Sequence, residues 1–191
     1  MQRIVLRALR LIVSPDDEWR SIREEEPSPA VIARFVLPLA IIPAASWGLG
    51  LMLFGIGMAN GRGGAVLGIG QIVYSGLIAY IGVVLSICLC AVAIAALAPL
   101  FACPRDWPRA LQVAAYSAAP VLIGGLVLVL PDLASLLILA FFHSLYLQYA
   151  GLQHVLAVKE RDSAEYVALS TVLLMVLSTI MGALGGWLGA L

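Results

Sequence analysis

What this chain lacks is charge. Only 12% of its 191 residues are Asp, Glu, Lys or Arg, where a soluble domain carries roughly a quarter. Lysine is nearly absent, with Lys159 alone beside ten arginines. From residue 30 to residue 158 the charged side chains are only Arg34, Arg62, Arg105, Asp106, Arg109 and Asp132. A soluble globular protein is thereby excluded. No basic run with interleaved aromatics exists, which excludes a nucleic-acid partner. Three cysteines, Cys88, Cys90 and Cys103, are too few and too badly placed for a disulfide framework or a zinc site. Arg3, Arg7 and Arg10 interrupt any apolar core that a cleavable signal would need.

Catalytic sets are missing as well. The chain has no HExxH, no paired intramembrane carboxylates and no Ser with a His in motif context. The glycine-rich 61–70 stretch lacks the Lys and Ser/Thr of a phosphate loop. An enzyme is not expected, nor a metal or a cofactor.

What is present is hydrophobic length: 62% of residues are apolar, with a mean hydropathy of +1.04. The apolar runs are continuous rather than alternating, which excludes a transmembrane barrel and predicts spanning helices. Five are expected, over about 31–58, 66–98, 108–130, 133–157 and 165–190, making an all-α polytopic membrane bundle of five transmembrane helices. Residues 1–30 form a separate interfacial segment before the transmembrane domain of residues 31–191. Connections are expected at Asn60-Gly61-Arg62-Gly63-Gly64, at Cys103 to Pro108, at Leu130-Pro131-Asp132 and at Lys159 to Ser163. Ser28-Pro29 reads as the opening of the first span, and Asp162 with Glu165 as a capping box for the fifth. The second run is longer than a bilayer core requires, so it must tilt, project or break near Gly76 or Gly82.

The terminal segment is amphipathic. Ile4, Val5, Ala8, Leu11 and Ile12 fall at helical spacing, with Arg3, Arg7 and Arg10 on the other side. This predicts a short helix on an anionic membrane surface, with those arginines and Trp19 in contact with lipid. Ser14-Pro15-Asp16-Asp17 opens a second helix, with a hydroxyl cap, a first-turn proline and acids at its positive end. Trp19 and Ile22 are its membrane or bundle contacts, and Glu24-Glu25-Glu26 reads as a solvated run with a docking role as the alternative.

The fourth span is the most polar, with His143, Ser144, Tyr146, Gln148, Tyr149, Gln153 and His154 within twelve residues. An ionisable group at mid-depth, such as His143, is a functional candidate by default; the competing reading is a neutral histidine that ties helices together. His143 and His154 are too far apart on one helix to share a metal. In the third span, Tyr116-Ser117-Ala118-Ala119-Pro120 predicts a kink, because Pro120 lacks an amide hydrogen and crowds the Tyr116 carbonyl. Ser117 or a neighbouring helix is expected to satisfy that carbonyl. Ser178, Gly182 and Gly186, like Gly185 and Gly189, are spaced by four, which suits close packing inside the bundle or in a homo-oligomer.

Taken in order, these features resemble a known family. Ser14-Pro15-Asp16-Asp17-Glu18-Trp19 with Ile22, then Leu37-Pro38-Leu39, is similar to its N-terminal segment and first span. Ala115-Tyr116-Ser117-Ala118-Ala119-Pro120 with Gly124-Gly125 and Leu130-Pro131 resembles its third-span signature. Leu145-Tyr146-Leu147-Gln148-Tyr149-Ala150-Gly151-Leu152 and Ala164-Glu165-Tyr166 resemble its fourth-to-fifth-span signature. The family is the Yip domain family, named for interaction with Ypt/Rab GTPases, and the likeness, over about residues 7–190, is to its bacterial members. The resemblance implies a non-catalytic membrane-organising, adaptor or trafficking-type protein, with a possible protein partner at the cytoplasmic N-terminus. Only about thirty residues precede the first span here, fewer than in the eukaryotic relatives linked to GTPases. The alternative is a transporter or lipid-handling protein with a midplane site between the third and fourth helices. A cavity lined by Tyr116, His143 and Tyr146 would favour that alternative, and a dry bundle the adaptor.

Ten basic residues fall on one side of a five-span arrangement and Arg62 alone on the other. By the positive-inside rule this predicts a multi-pass protein of the cytoplasmic membrane, with its N-terminus cytoplasmic and Leu191 external. Single-cysteine labelling near each end, in a background without the three native cysteines, should modify only the C-terminal site from outside. Both ends labelling from one side would eliminate the five-span model.

Overall fold

The computed structural model describes residues 2–54 and 68–188. The 60–64 turn with Arg62, the Arg3 side chain, Gly189 and the Leu191 end lie outside the described residues, as do the side chains of residues 184–188. Seven helices are formed among the described residues, and no strand. They are α1 (Gln2–Val13), α2 (Pro15–Glu24), α3 (Ile32–Phe54), α4 (Ile69–Phe101), α5 (Trp107–Val129), α6 (Pro131–Leu156) and α7 (Glu160–Leu188). The last five are each long and apolar enough to cross a membrane.

Local chemistry explains the irregular turns. Ser28 Oγ accepts from the Ala30 amide at 3.2 Å and opens α3. The helix then widens into a π-turn over Ile32–Val36. Pro38 lies just beyond it; its ring would crowd the Arg34 carbonyl in a regular helix, and the wider turn relieves that crowding. In α5, Asp106 caps by accepting from the Arg109 amide at 3.1 Å. The regular helix stops at Ser117, resumes over Ala119–Gly124 and tightens to a 3-10 turn over Gly125–Val129. The interruption expected from Pro120 is present, but Ser117 donates to the Ala114 carbonyl at 3.2 Å rather than covering Tyr116. The Ala118 amide turns onto the Tyr116 carbonyl instead.

Of the three courses open to the second span, the break is absent: α4 runs without one through Gly76 and Gly82. Two other expectations are corrected. α7 begins at Glu160, so Asp162 sits inside the first turn, paired with Arg161, and forms no capping box. Ser14 stands at the start of α2 but its hydroxyl makes no cap hydrogen bond; Pro15 and the acids Asp16, Asp17 and Glu18 mark that helix start instead.

α4 packs against α3, α5 and α7, while α6 packs against α5 and α7. The core is concentrated at the end of the bundle where α1 and α2 dock. Ala8, Leu11, Trp19 and Ile22 bury against Phe35, Ile94, the 110–119 stretch of α5, Leu147, Leu152 and Tyr166. Tyr166 donates to the Ile94 carbonyl at 2.6 Å and stacks on Phe101 with ring centroids 4.4 Å apart. The far half of the bundle exposes Leu53, Ile69, Val73, Leu139, Phe142, Val172 and Met175 outward, as a lipid-facing surface does.

Close approach in that far half depends on two glycines. A Cβ at Gly125 would lie 2.5 Å from Pro43 Cβ, and one at Gly50 would lie 2.6 Å from the Leu128 carbonyl oxygen. Gly125→Ala and Gly50→Ala should each cost about 1–3 kcal/mol by forcing α3 and α5 apart. Gly70→Ala and Gly82→Ala meet nothing within 4 Å and should be neutral or slightly stabilising. Thermal unfolding in detergent measures all four, and equal behaviour of the two pairs would refute this packing.

Candidate functional site

The most built polar site lies where α1 and α2 meet the bundle. α1 lays Ala8 and Leu11, both fully buried, against the protein, with Ile4 and Val5 packed beside them. Its apolar face is therefore a bundle contact and not a lipid contact, contrary to the expectation from the sequence. A second, outward stripe of Leu6, Leu9 and Val13 remains exposed, with Val13 at 78%. Trp19 is likewise corrected: it is 0% exposed, and its ring occupies the space that a side chain at Gly151 on α6 would fill, 2.8 Å from where that Cβ would be. The signature Ala150-Gly151-Leu152 thus includes the socket for the tryptophan of the N-terminal signature. Gly151 and Trp19 form one lock.

Arg7 also points inward. Its Nη2 donates to Glu25 Oε1, and its Nε lies 3.0 Å from Glu18 Oε1 in an ion pair without an aligned hydrogen bond. The guanidinium lies 4.9 Å from the centroid of the Tyr116 ring. Burial works against the charge, but the Glu25 hydrogen bond and the fields of Glu25 and Glu18 outweigh it, so the Arg7 pKa is pushed further up. The Glu25 carboxylate is held by this contact, so the acidic run is not simply solvated. Tyr116 in turn packs edge-on against Phe35, at 4.7 Å between centroids, and Trp19, at 6.4 Å.

Beside this cluster is a cavity of about 260 Å³. Arg7, Glu25, Glu26, Arg34, Gln112 and Tyr116 give it a polar wall, and Ile4, Val31 and Phe35 an apolar one. The π-turn of α3 is what carries Arg34 and Phe35 into this wall. Gln112 is only 3% exposed, and its Oε1 has no partner among the described residues.

The candidates named on α5 and α6 do not converge. Tyr116 belongs to the cavity just described, whereas Ser117 and Gln148 line a separate one of about 200 Å³ among α4, α5, α6 and α7. Gln148 is buried and donates to Ser170 Oγ on α7 at 2.8 Å, a tie between helices. Tyr146 is 48% exposed, and its ring is 5.9 Å from that of His143, whose buried Nε2 has no partner among the described residues. His154 Nδ1 donates to the Ala150 carbonyl of its own helix at 2.9 Å, which fixes the proton on that nitrogen. Gln153 Nε2 is buried with no partner among the described residues, and Pro120 is buried in α5. No described cavity is lined by Tyr116, His143 and Tyr146 together. Arg10 stays exposed.

Sequence reasoning missed Arg34, Gln112, Glu18 and Glu26 as site residues. A usable signal was present: an arginine on the first helix with acids at each end of the second is a charge pattern that a folded-back helical hairpin would pair.

Burial of the Cys103 thiol, aided by Asp162, pushes its pKa up, which leaves no activated nucleophile in the α4–α5 connection. No group of three or more metal-ligating side chains is found among the described residues.

Trp19→Ala should destabilise the protein by about 3–5 kcal/mol, as loss of a fully buried indole does. Gly151→Ala should cost about 1–3 kcal/mol by displacing the same ring, and Arg7→Met about 1–3 kcal/mol by leaving Glu18 and Glu25 unpaired. The double variant Trp19→Ala/Gly151→Ala should cost less than the sum of its parts. Additive effects in thermal unfolding would show that the two residues are not one lock.

No curated protein and no solved structure matches this chain. The family model of the Yip1 domain matches residues 9–182, which takes in α2 with Trp19, the Tyr116 to Pro120 kink, the Gly151 socket and Tyr166. With five membrane-length helices and a match over nearly its whole length, the chain is a membrane protein of the Yip1 domain family.

Proposed function

We propose that this protein is a non-catalytic, membrane-organising adaptor of the cytoplasmic membrane, with its N-terminal helices on the cytoplasmic side. The observation that carries this reading is the docked α1–α2 layer. It is held to the bundle by Trp19, Leu11 and the contact of Arg7 with Tyr116, yet it turns Leu6, Leu9 and Val13 outward beside exposed Arg10. A rigid platform with an unsatisfied apolar stripe and a cationic edge suits recruitment of a protein partner or a second copy. The concentration of arginines at that end supports a cytoplasmic placement. Ser178 and Gly182 on α7 suit self-association, since nothing lies within 4 Å of a Cβ at Gly182.

A second reading, transport or lipid handling, draws on the cavity of about 200 Å³ among α4, α5, α6 and α7. Two buried hydroxyls in its wall, Ser144 Oγ and Thr171 Oγ1, have no hydrogen-bond partner among the described residues. His143 does not line that space.

Site-specific photo-crosslinking from position 9 in native membranes should yield a discrete protein adduct; lipid adducts alone would count against the adaptor. Reconstituted vesicles should show no proton or solute flux above protein-free vesicles, and His143→Gln should leave the melting curve within about 1 kcal/mol of the parent. A flux that His143→Gln removes without altering melting would replace the adaptor with the transporter.

A further inference from the structure

The cavity beside Arg7 has a charge arrangement that adaptor function does not use. Its four charged wall residues are two arginines and two glutamates. Arg7 and Glu25 are committed to each other. Arg34 and Glu26 make no ion pair among the described residues, and each is exposed at the cavity rim. The buried amide oxygen of Gln112 lies in the same wall and has no hydrogen-bond partner among the described residues. A buried acceptor without a partner costs about 1–3 kcal/mol, and native sites relieve that cost with a ligand or water.

We propose that this cavity binds the phosphoethanolamine headgroup of a phospholipid. One unpaired cation, one unpaired anion and one amide fit a net-neutral zwitterion. The phosphate is taken by the Arg34 guanidinium, a charge-assisted contact, and the ammonium by the Glu26 carboxylate. The Gln112 amide carries both donors and an acceptor and serves whichever group reaches it. An anionic headgroup without an ammonium leaves Glu26 unpaired and faces Glu25 as well. A choline headgroup has no N–H to give to Glu26 or to the amide. The volume, about 260 Å³, is below the roughly 300–1,000 Å³ of drug-sized pockets and suits a headgroup, not a whole lipid. Location agrees. Arg34 is the third residue of the first span, where the bilayer interface lies, and Ile4, Val31 and Phe35 continue the wall with apolar surface for the upper acyl chain. The inference holds whether or not α1 and α2 recruit a partner.

The test uses the full chain in detergent, titrated with short-chain phosphatidylethanolamine, phosphatidylcholine or phosphatidylglycerol. Thermal shift and lipid retention in native mass spectrometry are the readouts. Phosphatidylethanolamine should bind about tenfold tighter than either of the others. Glu26→Gln should bring phosphatidylethanolamine down to the level of phosphatidylcholine, Arg34→Gln should weaken both, and Gln112→Leu should reduce the preference. Glu26 and Arg34 lie at an exposed rim, so their variants should melt like the parent without lipid. Free phosphoethanolamine and inorganic phosphate are the other two arms. Equal retention of the three lipids, or a preference that survives Glu26→Gln, would overturn the proposal. Free phosphoethanolamine binding as tightly as the lipid would overturn its lipid half.

Discussion

The contact on which the rest depends is the indole of Trp19 against the bare backbone of Gly151. Spanning helices in lipid gain little from burying apolar side chains against one another, because acyl chains are as apolar as leucine. Their association rests on shape and on polar ties. At the bundle end where α1 and α2 dock the situation differs. A tryptophan enters a glycine socket on α6, Tyr116 packs edge-on against it with Phe35 behind, and Arg7 is drawn over the tyrosine face by two carboxylates. α2 lies on α6, while α1 reaches α5 and α6. The two short helices therefore tie α5 to α6 across the docked end.

This division accounts for the uneven packing. Buried residues of α4 begin at Ile87, past its midpoint, and run to Ala98. The opposite half holds its contacts through omissions of side chain: Gly50 against the Leu128 carbonyl, Gly125 against Pro43 and Gly124 against Ala140. Polar ties supplement them. Trp47 Nε1 donates to Ser75 Oγ at 2.9 Å between α3 and α4, and Tyr80 donates to the Leu37 carbonyl at 3.2 Å. Such bonds are worth about 0.6 kcal/mol each in membrane bundles, so this half is held by many small terms. The docked end is held by a few large ones.

How much of this was legible depends on which forces act within one segment. Hydropathy alone placed five spans, since water exclusion acts on each run independently, and Pro120 announced the break in α5 because its effect is local to one turn. The widening at Arg34 is also local and follows from Pro38. The orientation of α1 was not legible. Ile4, Ala8 and Leu11 make the same stripe whether the surface opposite is lipid or protein, and only the tertiary fold decides. Trp19 failed to announce its place for the same reason, as its socket is an absent side chain 132 residues later. Arg34 and Gln112 became neighbours of Arg7 only through the meeting of α1, α3 and α5, which no single periodicity encodes.

The polar residues of α6 complete the picture by being divided rather than gathered. Their helical spacing puts them around the whole circumference, so each meets a different neighbour. Gln148 turns to α7 and bonds Ser170, His154 turns back on its own helix, and Tyr146 turns outward. A transport path needs such groups to converge on one hydrated line through the bundle, with a charge able to move between them. Here Arg34 and Glu26, unpaired among the described residues, line one cavity at the bundle end beside the docked helices. Chemistry in this protein is therefore concentrated where the chain leaves the apolar phase. That placement suits recognition at a surface better than passage through one.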